Sequence, residues 1–206
     1  LNLLVNEVWC GDEMSEWQIP FWEQDMDKAR RLMERAVFSH LLTSRYGAPL
    51  MVAQGGGLLI EVTDGIEERY RGCLPYDLVK HSVIRLAFGM AQDLEPTGVV
   101  ALCVTPGYLR SEAMLEHFGV TEANWRDAIA QDPYFAGSET PCFLGRAIVA
   151  LAQDPHVAKK AGGAFSSWGL SEECGFSDID GERPHWGRHF AQLALQGNST
   201  TGEDEG

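Results

Sequence analysis

The stretch Gly57-Leu58-Leu59-Ile60-Glu61-Val62-Thr63, followed thirteen residues after Thr63 by Tyr76-Asp77-Leu78-Val79-Lys80, decides the reading of this chain. The first segment is an apolar run broken only by Glu61, the pattern of a strand covered on both faces. The second opens a helical pattern, with Val79, Val83, Leu86, Ala87, Met90, Ala91 and Leu94 on one side until Glu95-Pro96 stops it. Tyr76 and Lys80 stand four apart, so they share a helix face. An ammonium beside a phenol favours the phenolate and draws the tyrosine down from its usual pKa of about 10. With the Thr63 hydroxyl at the strand tip, three groups able to exchange a proton with a substrate oxygen come together.

Working outward, Val99-Val100-Ala101-Leu102-Cys103-Val104 is the clearest buried strand, and Thr105-Pro106-Gly107 turns at its carboxyl end. On the other side, Leu1 to Val5 reads as a strand ending at Asn6. Between it and Gly57, Leu32, Met33, Ala36, Val37, His40 and Leu41 recur at helical spacing, with Gly47 or Pro49 as the expected stop. Thr140-Pro141 is a helix start, threonine capping and proline in the first turn. Thr121-Glu122 predicts a helix over 122–131, and 164–168 a last short strand. Strand and helix alternate throughout, which implies α/β architecture with a parallel sheet and helices on both faces. Ligand sites in such sheets lie at the carboxyl ends of the strands, where Asn6, Thr63 and Pro106-Gly107 all fall. One domain is expected over 1–195. The Gly-, Ser-, Thr- and acid-rich residues 196–206 read as a disordered tail.

Composition narrows the function. The 206 residues carry a formal charge of −14, which repels nucleic-acid phosphates. No apolar run reaches the roughly 20 residues needed to span a membrane. The cysteines, Cys10, Cys73, Cys103, Cys142 and Cys174, form no Cys-x-x-Cys pair and read as reduced thiols, so a cytoplasmic location is expected. His185 and His189 are four apart, but Pro184 and Gly187 argue against a metal-binding helix, and no metal site is expected. Gly55-Gly56-Gly57 precedes a strand, whereas phosphate-cradling glycines follow one and open a helix. Trp9, Trp17, Phe21 and Trp22 crowd one irregular segment that should fold back over the body. The chain starts at Leu1, already strand-like, and an N-terminal truncation is expected.

With these residues in view, the chain resembles the short-chain dehydrogenase/reductase family from its fourth strand onward, over roughly residues 1–185. Tyr76 and Lys80 match the family's Tyr-x-x-x-Lys motif, and Thr63 stands thirteen residues ahead of the tyrosine, where the catalytic serine belongs. Asn6 resembles the first Asn of the Asn-Asn-Ala-Gly strand end. Pro106-Gly107-Tyr108-Leu109-Arg110-Ser111 resembles the turn that holds the nicotinamide. The Trp-rich segment resembles one branch of poorly characterised members.

The resemblance implies the C-terminal part of a Rossmann-like doubly wound sheet, its first three strands absent. It implies hydride transfer between NAD or NADP and a small carbonyl or alcohol substrate. Tyr76 would be the general acid/base, Lys80 the ligand of the ribose hydroxyls, and Thr63 the partner of the substrate oxygen. Pro106, Gly107, Leu109 and Ser111 would position the nicotinamide, and Asn6 the loop beneath it. Trp125, Tyr134 and Phe135 would belong to a substrate lid.

It also implies a homodimer or homotetramer formed by helix faces carrying Leu78, Ile84 and Phe88. The chain departs from the pattern in three ways. The glycine-rich phosphate turn is missing, Ala36 replaces the asparagine of the proton relay, and Thr63 adds a methyl to the serine. Glu61 and Asp64 add negative charge opposing a phenolate. These departures lead to the expectation that this piece alone is inactive. The alternative is a catalytically weakened relative that binds or scaffolds through its dimer surface.

Overall fold

Continuous apolar runs with no polar face form the sheet. The computed structural model describes residues 1–9, 11–66 and 69–200, the last five by backbone alone. Strands β1 (Leu3–Asn6), β2 (Gly57–Val62), β3 (Val99–Thr105) and β4 (Ala164–Ser166) lie side by side in that order. β1 pairs with β2 in parallel, Leu3 opposite Leu58 and Asn6 opposite Glu61. β2 pairs with β3 in parallel, Gly57 opposite Val99 and Val62 opposite Val104. Every residue of β3 is buried, and each Leu, Ile or Val so enclosed contributes on the order of 1.5–3 kcal/mol.

The chain forms two compact units where the sequence suggests one domain: Leu1–Thr105 with Leu151–Phe165, and Pro106–Ala150 with Ser166–Gly206. In the first, helix α1 (Met26–Met33) starts at Asp25, whose carboxylate accepts from the amides of Asp27 and Lys28. It passes through a π-helical turn, Glu34–Phe38, into α2 (Ser39–Gln54).

The helix therefore does not end at Gly47 or Pro49. Gly47 is a contact point: a Cβ there would meet Leu4 Cδ2 at 2.6 Å. The stop comes at Gly55, in the left-handed conformation, whose N–H caps the Val52 carbonyl. Helix α3 spans Leu74–Leu94 with Pro75 in its first turn, and buries Val79, Val83, Ala87 and Ala91. Met51, Leu59, Ala91, Leu94, Val99 and Ala101 form a core between helices and sheet.

The second unit holds α4 (Glu112–Phe118), α5 (Pro141–Gln153) up to Ala150, α6 (Ser167–Cys174) and α7 (Trp186–Thr200). The helix predicted over 122–131 is instead a 3-10 stretch, Trp125–Ala130. Regular helix lies earlier because Ser111 caps α4 and Gly119 ends it. Trp125, Ala128 and Phe135 form the local core with Tyr108, Met114, Leu115 and Phe118 around them.

Residues 196–200, read as the start of a disordered tail, continue α7. The first turn of that helix is anchored, with Trp186 edge-on to Tyr108 and Phe190 stacked on Tyr134, so it propagates into a polar sequence. Residues 201–206, Cys10, Glu67 and Glu68 lie outside the described residues.

Candidate active site

In the first unit, β2 delivers two polar residues in succession. The Thr63 amide extends the ladder to the Val104 carbonyl, and its hydroxyl donates to the Lys80 backbone carbonyl at 2.8 Å. The next residue, Asp64, meets the phenol: Tyr76 Oη donates to Asp64 Oδ2. Arg71 grips the same carboxylate with both arms, one of them at 2.7 Å. The sequence therefore places a hydroxyl at the strand tip, while the structure turns that hydroxyl to backbone and presents a carboxylate to Tyr76.

Tyr76 and Lys80 do share one face of α3, but the ammonium lies over Trp9, 3.7 Å from the ring centroid, and 5.4 Å from the centre of the Tyr76 ring. Loss of hydration pushes the Tyr76 pKa well above its ordinary value. The Asp64 charge adds to this, while Arg71 opposes it. The expected lowering by Lys80 is thus overturned by burial and a nearer anion. Burial also brings the Lys80 ammonium down to about 8, against the opposing pull of Asp64.

The aromatic segment packs where its composition required. Trp9 stands edge-on to Tyr76 at 5.4 Å, and Trp17 lies tilted on it at 4.8 Å. The Gln18 amide ties this segment to the Gly72 carbonyl just before α3, at 2.8 Å. Phe21 and Trp22 pair with each other and stay exposed.

Asn6 faces inward. Its amide donates to Glu61 Oε1 at 2.8 Å and to Ser44 Oγ at 2.9 Å, and Ser44 donates in turn to Glu61. Glu61 Oε2 lies 2.6 Å from His40 Nδ1, and His40 Nε2 lies 3.1 Å from the Val8 carbonyl. Both ring nitrogens therefore have polar partners. Through Val8 this buried network fixes the approach to Trp9. The charge inside an apolar strand thus has a complete set of partners.

In the second unit the Pro106-Gly107 turn is held by Glu139. Its Oε2 accepts from the Gly107 amide at 3.0 Å and from Ser167 Oγ at 2.7 Å. A Cβ on Gly107 would meet Trp186 Cβ at 2.6 Å and this carboxylate at 2.9 Å, so only glycine fits. Leu109 bridges Glu139 by backbone. Ser111 Oγ accepts from the Met114 amide as the cap of α4. Glu139 is fully buried, its Oε1 has no partner among the described residues, and loss of hydration raises its pKa to about 7.

The model of the short chain dehydrogenase family matches residues 1–119. The chain belongs to the short-chain dehydrogenase family. It is similar to Dehydrogenase/reductase SDR family member 1 of Homo sapiens, 28% identical over 190 residues, and to that of Mus musculus, 31% identical over 187. Each comparison takes in 88% of this chain but 59% of the relative's length. Among solved structures it is similar to acetoin dehydrogenase from Enterobacter cloacae, with a TM-score of 0.62, 22% identity, and coverage of 81% of this chain and 62% of that one. It is also similar to ElxO with NADP bound, with a TM-score of 0.65, 16% identity, and coverage of 80% and 64%. At these identities the two structures speak for the Rossmann-like fold.

The Lys80 ammonium beside Tyr76 has the donor chemistry that sugar hydroxyls accept. Among the described residues no glycine-rich turn leaves a strand to open a helix, so the pyrophosphate has no such anchor here. Of the expected residues, Tyr76 and Lys80 share a helix face and Thr63 bonds the Lys80 backbone, while Asn6, also in the first unit, belongs to the Glu61 network instead. Pro106, Gly107, Leu109 and Ser111 belong to the second.

Sequence reasoning missed Arg71, His40 and Glu139 as site residues, and read Asp64 and Glu61 only as adverse charges. Glu61 carried a usable signal, since a charge in a buried strand requires a partner. Arg71 and Glu139 sit in irregular segments with no periodicity to mark them.

Proposed function

We propose that this short-chain dehydrogenase is the acid/base portion of an NAD(P)-dependent oxidoreductase acting on a small carbonyl or alcohol in the cytoplasm. The observation that carries the reading is Tyr76 and Lys80 on one face of α3, beside the carboxyl end of β2, in a chain of this family. When bound, the nicotinamide supplies or accepts the hydride. Tyr76 exchanges the proton of the substrate oxygen, and Lys80 holds the ribose hydroxyls once Trp9 yields its ammonium. Pro106, Gly107, Leu109 and Ser111 position the ring in this reading. In this reading turnover needs a phosphate anchor, and among the described residues no glycine-rich turn leaves a strand to open a helix.

The test is oxidation and reduction of NAD(H) and NADP(H) by the full-length protein against a panel of alcohols and carbonyls. Tyr76→Phe should lower turnover by about a hundredfold or more. Turnover untouched by that change removes the reading.

A second reading, association through helix faces, is favoured by α2. The helix buries His40, Ser44, Gly47 and Met51 but leaves Leu41, Leu42, Tyr46 and Leu50 exposed. With Leu78 and Phe88 exposed on α3, this apolar surface suits a second copy of the chain in a homodimer or a homotetramer. Light scattering at micromolar concentration tests it: Tyr46→Glu should yield monomers, and a monomeric wild type removes it.

A further inference from the structure

Among the described residues Asp64 is the carboxylate that accepts from the Tyr76 phenol, and the oxidoreductase reading as it stands gives it nothing to do. The relay is also incomplete, since Ala36, buried in the π-helical turn, has no side-chain group to pass a proton. We propose, resting on the oxidoreductase reading, that Asp64 is the proton acceptor behind Tyr76 and that Arg71 is the positioning residue that holds its carboxylate to the phenol.

Three observations carry this. Tyr76 Oη donates to Asp64 Oδ2, so the phenol proton already points along the route. Arg71 binds both carboxylate oxygens, which fixes the orientation of Asp64 and offsets its charge. The Asp64 and Arg71 side chains are 21% and 30% exposed, so a proton on Asp64 has an exit to water. The upward push on Tyr76 agrees with this route, because it makes a free phenolate the wrong starting state. Among the described residues, the charged and titratable groups acting on Tyr76 are Asp64, Arg71 and Asp12, and those acting on Lys80 are the same three with Cys103.

The step balances in the alcohol-oxidising direction. The substrate O–H breaks and its proton joins Tyr76 Oη as the original phenol proton moves to Asp64 Oδ2. Tyr76 ends as it began, and Asp64 ends as the carboxylic acid, which returns its proton to water. The carbonyl forms as the hydride, with its two electrons, leaves to NAD(P)+. No phenolate accumulates. In the reverse direction Asp64 must carry a proton first.

The test uses the full-length protein with two readouts. The first is the ultraviolet tyrosinate titration without cofactor, with Tyr76→Phe identifying the Tyr76 signal. Asp64→Asn, which keeps the shape and removes the charge, should let Tyr76 ionise at lower pH, and Arg71→Gln should delay ionisation. The second is the pH profile of alcohol oxidation. Asp64→Asn should lose about a hundredfold in rate and lose the acidic limb, and Asp64→Ser should restore neither.

A wild-type rate and profile in Asp64→Asn, with Tyr76→Phe inactive, overturns the proposal and leaves the oxidoreductase reading standing. An unshifted Tyr76 titration in Asp64→Asn overturns the pairing whatever the activity. A wild type inactive towards every alcohol overturns the oxidoreductase reading and the proton route with it, while the titration still judges the pair.

Discussion

Strand β2 and the residues just past its end present two carboxylates three residues apart, and their surroundings divide them by task. Glu61 is fully buried opposite Asn6, and His40, Asn6 and Ser44 occupy its oxygens. Asp64 stands past the end of the strand, reaches water, and holds a phenol and a guanidinium. A sealed, fully bonded carboxylate can only hold structure, because any change in its proton count leaves a buried group unpaired. A carboxylate with one side to water and a labile O–H on the other can change its proton count. The same residue chemistry becomes framework or reagent according to where the strand ends.

Breaking the framework side should produce the largest effect. His40→Leu strands the Glu61 charge in the core and should cost roughly 3–5 kcal/mol in urea unfolding. The pair His40→Leu with Glu61→Leu should recover most of that loss. A loss below about 1 kcal/mol in the single variant would mean that Glu61 is not acting as a sealed ion.

A third carboxylate sharpens the contrast. Glu139 is as buried as Glu61 but has an oxygen without a partner among the described residues, and burial raises its pKa to about 7. Between the ordinary value of 4.5 and about 7 the folded state binds more protons than the unfolded one, so stability falls as pH rises across that window. Glu139→Gln keeps an accepting oxygen for Gly107 and cannot ionise. It should flatten this fall and stabilise the protein above neutrality by up to about 3 kcal/mol. Parallel stability–pH curves for the two proteins would contradict the assignment.

Smaller effects belong to the reagent side. Trp9→Leu removes the ring under the Lys80 ammonium and should cost about 1–2 kcal/mol at neutral pH. The charge-dependent part of that cost should vanish by pH of about 10, above the Lys80 value of about 8. Asp64→Asn should change stability by less than about 1 kcal/mol in chemical unfolding, since its ion pair is partly exposed. A larger loss would make Asp64 a second framework residue.

The sheet was legible because its strands are apolar runs of strand length, and α3 because its apolar period and its proline stop are unambiguous. The Tyr76–Lys80 face followed from spacing alone. Which of Thr63 and Asp64 meets the phenol did not, because successive side chains at a strand end point opposite ways and the register of the last residue is set by the ladder to Val104. Gly47 and Pro49 misled for a related reason. Local preference marks them as breakers, but tertiary contact with Leu4 and a better cap at Gly55 carry the helix past them. The partner of Glu61 lies 21 residues upstream on a helix, and sequence shows the need for a partner without choosing it.

The π-helical turn at Glu34–Phe38 sets the phase of everything downstream in that helix. Leu32, Ala36, His40 and Ser44 are buried at strict intervals of four. A regular helix of about 3.6 residues per turn would rotate such a series by roughly 40° at each step, and one wider turn absorbs part of that drift. Removing a single residue from this turn would swing His40 about 100° around the axis. Glu61 would lose its histidine partner although every member of its network remained in the sequence. The turn is a phase adjuster, and a one-residue deletion there is a cleaner cut of the network than any substitution within it.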